Sequence, residues 1–202
     1  MNSFILIFPI LLWESANGLT LQQGMCPIIN PMKHLNMNKF LGTWYVQSYY
    51  PFDDEIQLEC QHFIYQRQFG RYYEFELLLD NKFSKKVMHR STVIRYVQET
   101  GAIEVKRRNS SYDNPPHRKP IPTRPDRFEM FPLAVEYDSY AVMVTCNKHK
   151  HDSHYFGAWI MTRHCKPPGA HIMAAQNVLI KHDIEVVDMI DAKQHHCEIY
   201  AW

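Results

Sequence analysis

The chain has 202 residues, a formal net charge of +1, 21% charged and 13% aromatic residues. That length holds one domain with a real core and leaves few residues for a second. The near-neutral balance gives no argument for nucleic acid or for an acidic membrane surface, while the aromatic content points to a β-rich fold with an aromatic interior.

An apolar run from Phe4 to Trp13 opens the chain and is followed by Glu14-Ser15-Ala16-Asn17-Gly18. The run is too short to span a bilayer, and Ala16 and Gly18 are the small residues a signal peptidase prefers, although no Lys or Arg precedes it. We expect a signal peptide over residues 1–18, cleaved after Gly18, and a single secreted, extracellular domain over 19–202 without a transmembrane segment. Five cysteines follow the leader: Cys26, Cys60, Cys146, Cys165 and Cys197. In a secreted chain most of them should pair and the odd number leaves one over; no spacing among them makes a CxxC motif or selects a connectivity.

Past Gly42 the pattern is short β-prone runs broken by turn residues, over 43–50, 60–67, 71–79, 87–97, 102–106, 127–131, 133–137, 140–146 and 155–163. Phe69-Gly70 and Glu99-Thr100-Gly101 are the turns of two hairpins. Residues 108–125 are proline-rich with no apolar period, which predicts a long loop, and Asn109-Ser110-Ser111 at its start is a glycosylation acceptor. At the end the period changes. Ile172, Ala175, Gln176, Val178 and Leu179 fall on one face of a helix over 170–181, opened by Pro167-Pro168-Gly169 and closed by His182-Asp183. A short strand over 185–190 then carries the chain towards Cys197.

His149, His151 and His154, with Asp152, place three imidazoles and a carboxylate in one loop, a weak candidate for zinc or copper, since loop histidines are more often solvated. His195-His196 is read as surface. No acid and base stand at a spacing that catalysis requires, so an enzyme is not expected.

The run Asn38-Lys39-Phe40-Leu41-Gly42-Thr43-Trp44-Tyr45 carries a resemblance, with Cys26-Pro27 upstream. Three further segments continue it in order: residues 136–146 around Asp138-Ser139-Tyr140, Ala158-Trp159-Ile160-Met161-Thr162-Arg163, and Ala175-Gln176-Asn177-Val178-Leu179 followed by Gln194 to Cys197. Together they cover nearly all of 19–202, and the chain resembles the lipocalin family, most closely its apolipoprotein D, insect bilin-binding and Lazarillo-type group. That resemblance implies an all-β fold: an eight-stranded antiparallel up-and-down β-barrel with an open mouth and a closed floor, one C-terminal α-helix and a short closing strand.

The resemblance also implies roles. Gly42 bends the chain into the barrel, Trp44 plugs the floor, and Arg163 lies over the Trp44 ring. It pairs Cys26 with Cys146 and Cys60 with Cys197, each closing a loop whose chain-entropy contribution is roughly 4–5 kcal/mol. Cys165 is left over, as a partly buried thiol or the site of an intermolecular disulfide. The family's ligand pocket maps onto Phe40, Tyr65, Trp159 and Met161.

Strand alternation gives a lining independently. Val46, Ser48 and Tyr50 share the parity of Trp44; Phe63 goes with Tyr65; Ala141 and Thr145 go with Met143; and Trp159 goes with Met161. The implied function is to carry or sequester a small hydrophobic ligand in the lumen, such as a fatty acid, retinoid, sterol or tetrapyrrole, with no cofactor. The alternative is an extracellular interaction protein acting through Cys165 or the barrel mouth on a cell-surface receptor, a lipoprotein particle or a disulfide-linked partner. A few lipocalins are isomerases with a lumenal thiol, but Cys165 follows the last barrel strand.

Overall fold

Period-two alternation and tight turns build a continuous wall. The structure is a computed structural model that describes residues 20–50, 58–80, 86–107, 127–149 and 152–194. A leading strand β1 (Thr20–Gln23) and a single-turn helix α1 (Met37–Phe40) precede the wall. The wall itself is β2 (Gly42–Tyr49), β3 (Leu58–Gln68), β4 (Arg71–Asp80), β5 (Lys86–Val97), β6 (Ala102–Arg107), β7 (Arg127–Glu136), β8 (Tyr140–Lys148) and β9 (Ser153–Thr162). Each strand pairs antiparallel with the next, and β9 returns to β2, so the eight close into a barrel as the resemblance implied. The Phe69-Gly70 turn has φ of 49° and 74°, the left-handed pair whose twist matches a two-residue hairpin.

Both ends of the described chain seal seams where β2 loses a neighbour. β2 pairs with β3 only over Gly42 to Tyr45 and with β9 over Tyr45 to Tyr49. Where β2 and β3 part, β10 (Ile190–Asp191) pairs with Tyr49 and Ser48. Beyond it, Ala192 N donates to Gln47 O at 2.7 Å, and Cys60 N donates to Lys193 O at 2.9 Å. The buried Gln194 amide Nε2 donates at 2.7 Å to Val46 O on β2 and at 2.7 Å to Gln61 O on β3, bridging the gap. On the other side, β1 pairs with Ser153 to Phe156 of β9, above the point where β2 leaves that edge.

The Cys26–Cys146 disulfide fixes this N-terminal segment to β8, as the resemblance implied. Cys60 is disulfide-bonded too, while Cys197 lies outside the described residues. So do residues 1–19, Asn109 with the 108–126 stretch, His151, and His195-His196.

Helix α2 (Gly169–Lys181) lies outside the barrel against β7, β8 and β9. It buries Ala175 and Leu179, one turn apart, onto Val142, Val144, Ala158 and Ile160. It stops where Asp183 turns left-handed at φ 56°, with Asp183 N donating to Ile180 O and Ile184 N to Leu179 O, and with Ile184 packed in the same cluster.

Three local expectations are revised. Residues 127–131 and 133–137 are one strand, β7; Pro132 has no N–H to give and sits at a register shift between Pro132 and Ala134, not at a break. Residues 185–189 do not form a strand: Met189 N closes a turn on Val186 O, the Tyr50 hydroxyl donates to the Glu185 carbonyl oxygen, and pairing begins only at Ile190. Along β2 a register shift between Val46 and Ser48 reverses the parity. Tyr49 therefore joins the inner cluster, Tyr50 packs outside on Phe156 and Ile184, and Ser48 Oγ donates to Asp191 Oδ1 at 3.0 Å.

Candidate functional site

The closed end is built from the segment that enters the barrel. Asn36 caps α1 by accepting from Lys39 N at 3.2 Å, and Leu35 N and Asn36 N donate to the hydroxyls of Tyr96 (3.0 Å) and Tyr137 (2.8 Å). The helix thereby crosses the barrel and drives Met37 and Phe40 into it. Trp44 Nε1 donates back to Phe40 O at 2.9 Å, and the Phe40 ring stacks on Trp44 and Tyr65 at centroid distances of 5.3 and 4.7 Å.

Arg163 locks this floor. Its guanidinium carbon lies 3.7 Å from the Trp44 ring centroid. Nε donates to Tyr137 O at 2.7 Å, Nη1 to Thr43 O at 3.1 Å, and Nη2 to Lys39 O at 2.8 Å, so one side chain joins α1, β2 and the β7–β8 turn. Burial pushes its pKa down and Asp138 opposes that, but a guanidinium stays charged at any pH the fold meets. Gly42 is required here twice over: its φ is +101°, and a Cβ would stand 3.2 Å from Arg163 Nη1.

All six residues expected to line a ligand pocket, Phe40, Phe63, Tyr65, Met143, Trp159 and Met161, lie in the inner cluster, none more than 4% exposed. They occupy different levels. Gly42 pairs with Tyr65 and Trp44 with Phe63, which puts Phe40, Trp44, Phe63 and Tyr65 at the floor. One level up, Val46 and Ala141 both pair with Met161; above that, Tyr49 and Met143 flank Trp159. Cross-strand partners on one face hold their Cβ atoms about 5 Å apart, so Tyr49, Met143 and Trp159 form one contiguous surface facing the axis. Ile94, Ile103, Val105 and Met130 supply the opposite wall. Among the described residues the inner cluster is apolar, and its buried polar atoms include Tyr65 Oη and Trp159 Nε1.

Tyr49 is an inner residue whose place sequence alternation gave to Tyr50, and Ile94, Ile103, Val105 and Met130 were not in the expected lining either; for Tyr49 the adjacent pair Tyr49-Tyr50 is the trace, since either tyrosine can face the lumen. Of the loop histidines, His154 is buried with Nδ1 2.9 Å from Gly24 O and Nε2 3.1 Å from Gln22 Oε1, fastening β1 to β9. His149 stacks edge-on against Tyr155 at the surface. Among the described residues no group of three His, Cys, Asp or Glu is placed to hold a metal. Cys165 is a half-buried thiol beyond β9, outside the lumen, with its carbonyl 3.4 Å from Gln47 Nε2. No described helix is long and apolar enough to cross a membrane.

No protein-family model matches this chain. Solved structures do resemble it. Insecticyanin from the tobacco hornworm Manduca sexta superposes with a TM-score of 0.70 at 18% identity, over 86% of this chain and 88% of that one. Lobster apocrustacyanin A1 gives 0.67 at 12% identity, over 86% and 91%. The cockroach allergen Per a 4 gives 0.65 at 18% identity, over 89% and 100%. At these identities the likeness is one of fold, and the fold is that of the lipocalins.

Proposed function

We propose that this chain is a secreted lipocalin that carries or sequesters a small hydrophobic molecule in its barrel, non-covalently and without catalysis. The observation that carries this reading is the layered interior: a floor sealed by Phe40, Trp44 and Arg163, and above it an apolar, aromatic surface of Tyr49, Met143 and Trp159 turned to the axis. A site of this kind takes a ligand by apolar burial, worth about 25 cal/mol per Å² before ordering costs, and uses a phenol or indole N–H to orient one polar group. The cargo class is thus an apolar body with a single polar end: a fatty acid, retinoid, sterol or tetrapyrrole. Tyr65 and Phe40, by their depth, bound the cavity from below and set how far such a molecule descends.

Secretion is supported by the apolar leader and by the Cys26–Cys146 disulfide, which suits an oxidising compartment. Within the family, the four sequence motifs favour the apolipoprotein D and insect bilin-binding group. Native mass spectrometry of protein secreted from eukaryotic cells, before and after organic extraction, tests the proposal. We expect a small apolar adduct that extraction removes; protein that carries nothing and takes up none of the four cargo types counts against it.

A further inference from the structure

The hairpin tip between β3 and β4 is built at a disadvantage that the barrel does not explain. Phe69 occupies the first turn position with φ 49°, where Asn or Gly is favoured and a bulky aromatic is an outlier, and its side chain is 99% exposed. β2 stops pairing with β3 at Tyr65 and β5 stops pairing with β4 at Tyr72, so residues 66–71 run on past both neighbours. Three further residues of extended chain carry Phe69 about 10 Å beyond the Tyr65 level. Arg67 and Arg71, both exposed, flank it. Arg67 pairs across the ribbon with Tyr72, over whose ring its guanidinium lies at 5.8 Å, while Arg71 pairs with Gln68, so one arginine stands on each face of the ribbon. No Asp or Glu occurs from Cys60 to Tyr73.

We propose that this tip docks the protein on an anionic phospholipid surface, with Phe69 entering the headgroup and acyl boundary and Arg67 and Arg71 pairing with lipid phosphates and carboxylates on either side. A protruding ring between two cations suits a fluid interface, which yields to it without a preformed pocket. A protein partner would need far more contact area than a two-residue turn presents. The overall charge of +1 hides this feature because it is local. Since the tip is at the closed end, docking leaves the barrel mouth facing water.

The test is co-sedimentation of the intact protein with vesicles of phosphatidylcholine alone and of phosphatidylcholine with phosphatidylserine at about 3:1. Weak, salt-sensitive binding to the phosphatidylserine vesicles is expected. Arg67→Gln and Arg71→Gln should each lower the partition coefficient about fivefold, and Phe69→Asn, which suits the turn and keeps the fold, about tenfold or more. Equal binding to neutral vesicles, or a Phe69→Asn protein that binds like wild type, would overturn the proposal. A dimer in vesicle-free sedimentation that Phe69→Asn abolishes would also overturn it, assigning the tip to a second copy of the chain.

Discussion

Replacing Arg163 by Met keeps the length of the side chain and removes every donor, so it measures what the floor lock contributes. Phe40 O keeps its bond from Trp44 Nε1, and Lys39 O is at an exposed position where water replaces the guanidinium. The carbonyls of Thr43 and Tyr137 are part-buried and lose their Arg163 donor. Each costs about 1–1.5 kcal/mol, and the contact over Trp44 adds about 1 kcal/mol. The variant should therefore lose about 3–4 kcal/mol, a fall in urea midpoint of about 1.5–2 M if the m-value is near 2 kcal/mol/M. Arg163→Lys keeps the charge over the ring and one donor direction but not the planar fork, and should fall about half as far. Equilibrium urea unfolding followed by Trp fluorescence and circular dichroism gives both numbers. A midpoint drop under about 0.5 M for Met, or identical drops for Met and Lys, would refute the reasoning, because the lock would then be neither strong nor dependent on guanidinium geometry.

Other parts of the molecule give separate tests. Burial first, then Asp188 and Glu185, push the Tyr50 phenol pKa up from 10.0 to about 12. The folded state thus holds a proton that the unfolded state releases, so this stability is complete below pH 10 and is lost between pH 10 and about 12. Thermal melts of Tyr50→Phe should lack that part of the alkaline decline; an unchanged pH profile contradicts the assignment. Gln194→Ala strips the bridging donor from Val46 O and Gln61 O and should cost about 2–3 kcal/mol in urea unfolding, whereas a loss within error would mean that the 190–194 segment seals no seam. Phe69→Asn should raise stability by about 1 kcal/mol by relieving the left-handed strain, and a destabilised variant would show that Phe69 makes contacts the structure does not.

The sequence was most legible where a residue type has a single structural use. Gly42 two positions before Trp44, and an arginine closing the last barrel strand, marked the floor, and strand parity placed Phe63, Met143, Trp159 and Met161 on the inner face. What escaped depends on register. Nothing in Val46-Gln47-Ser48 announces a shift, yet it exchanges Tyr49 for Tyr50 and so changes the upper lining. Pro132 reads as a strand boundary because proline lacks a donor, but a bulge needs none at that point. Four residues at Thr20–Gln23 are too few to show a period, and their strand exists because β9 has an open edge there and His154 holds them to it. The level of Tyr65, opposite Gly42, was not legible because the depth of a residue depends on how β2 and β3 are staggered.

The most direct measurement of the central claim is a Trp-fluorescence titration with retinol, a long-chain fatty acid and biliverdin, on wild type, Trp159→Ala and an outer-surface control, Met173→Ala. Saturable one-to-one binding of at least one of them is expected, weakened about tenfold or more by Trp159→Ala and unchanged by Met173→Ala, whose side chain is 60% exposed on α2. If none of the three binds saturably, or if Trp159→Ala binds as tightly as wild type, the interior does not hold cargo and the carrier assignment is wrong.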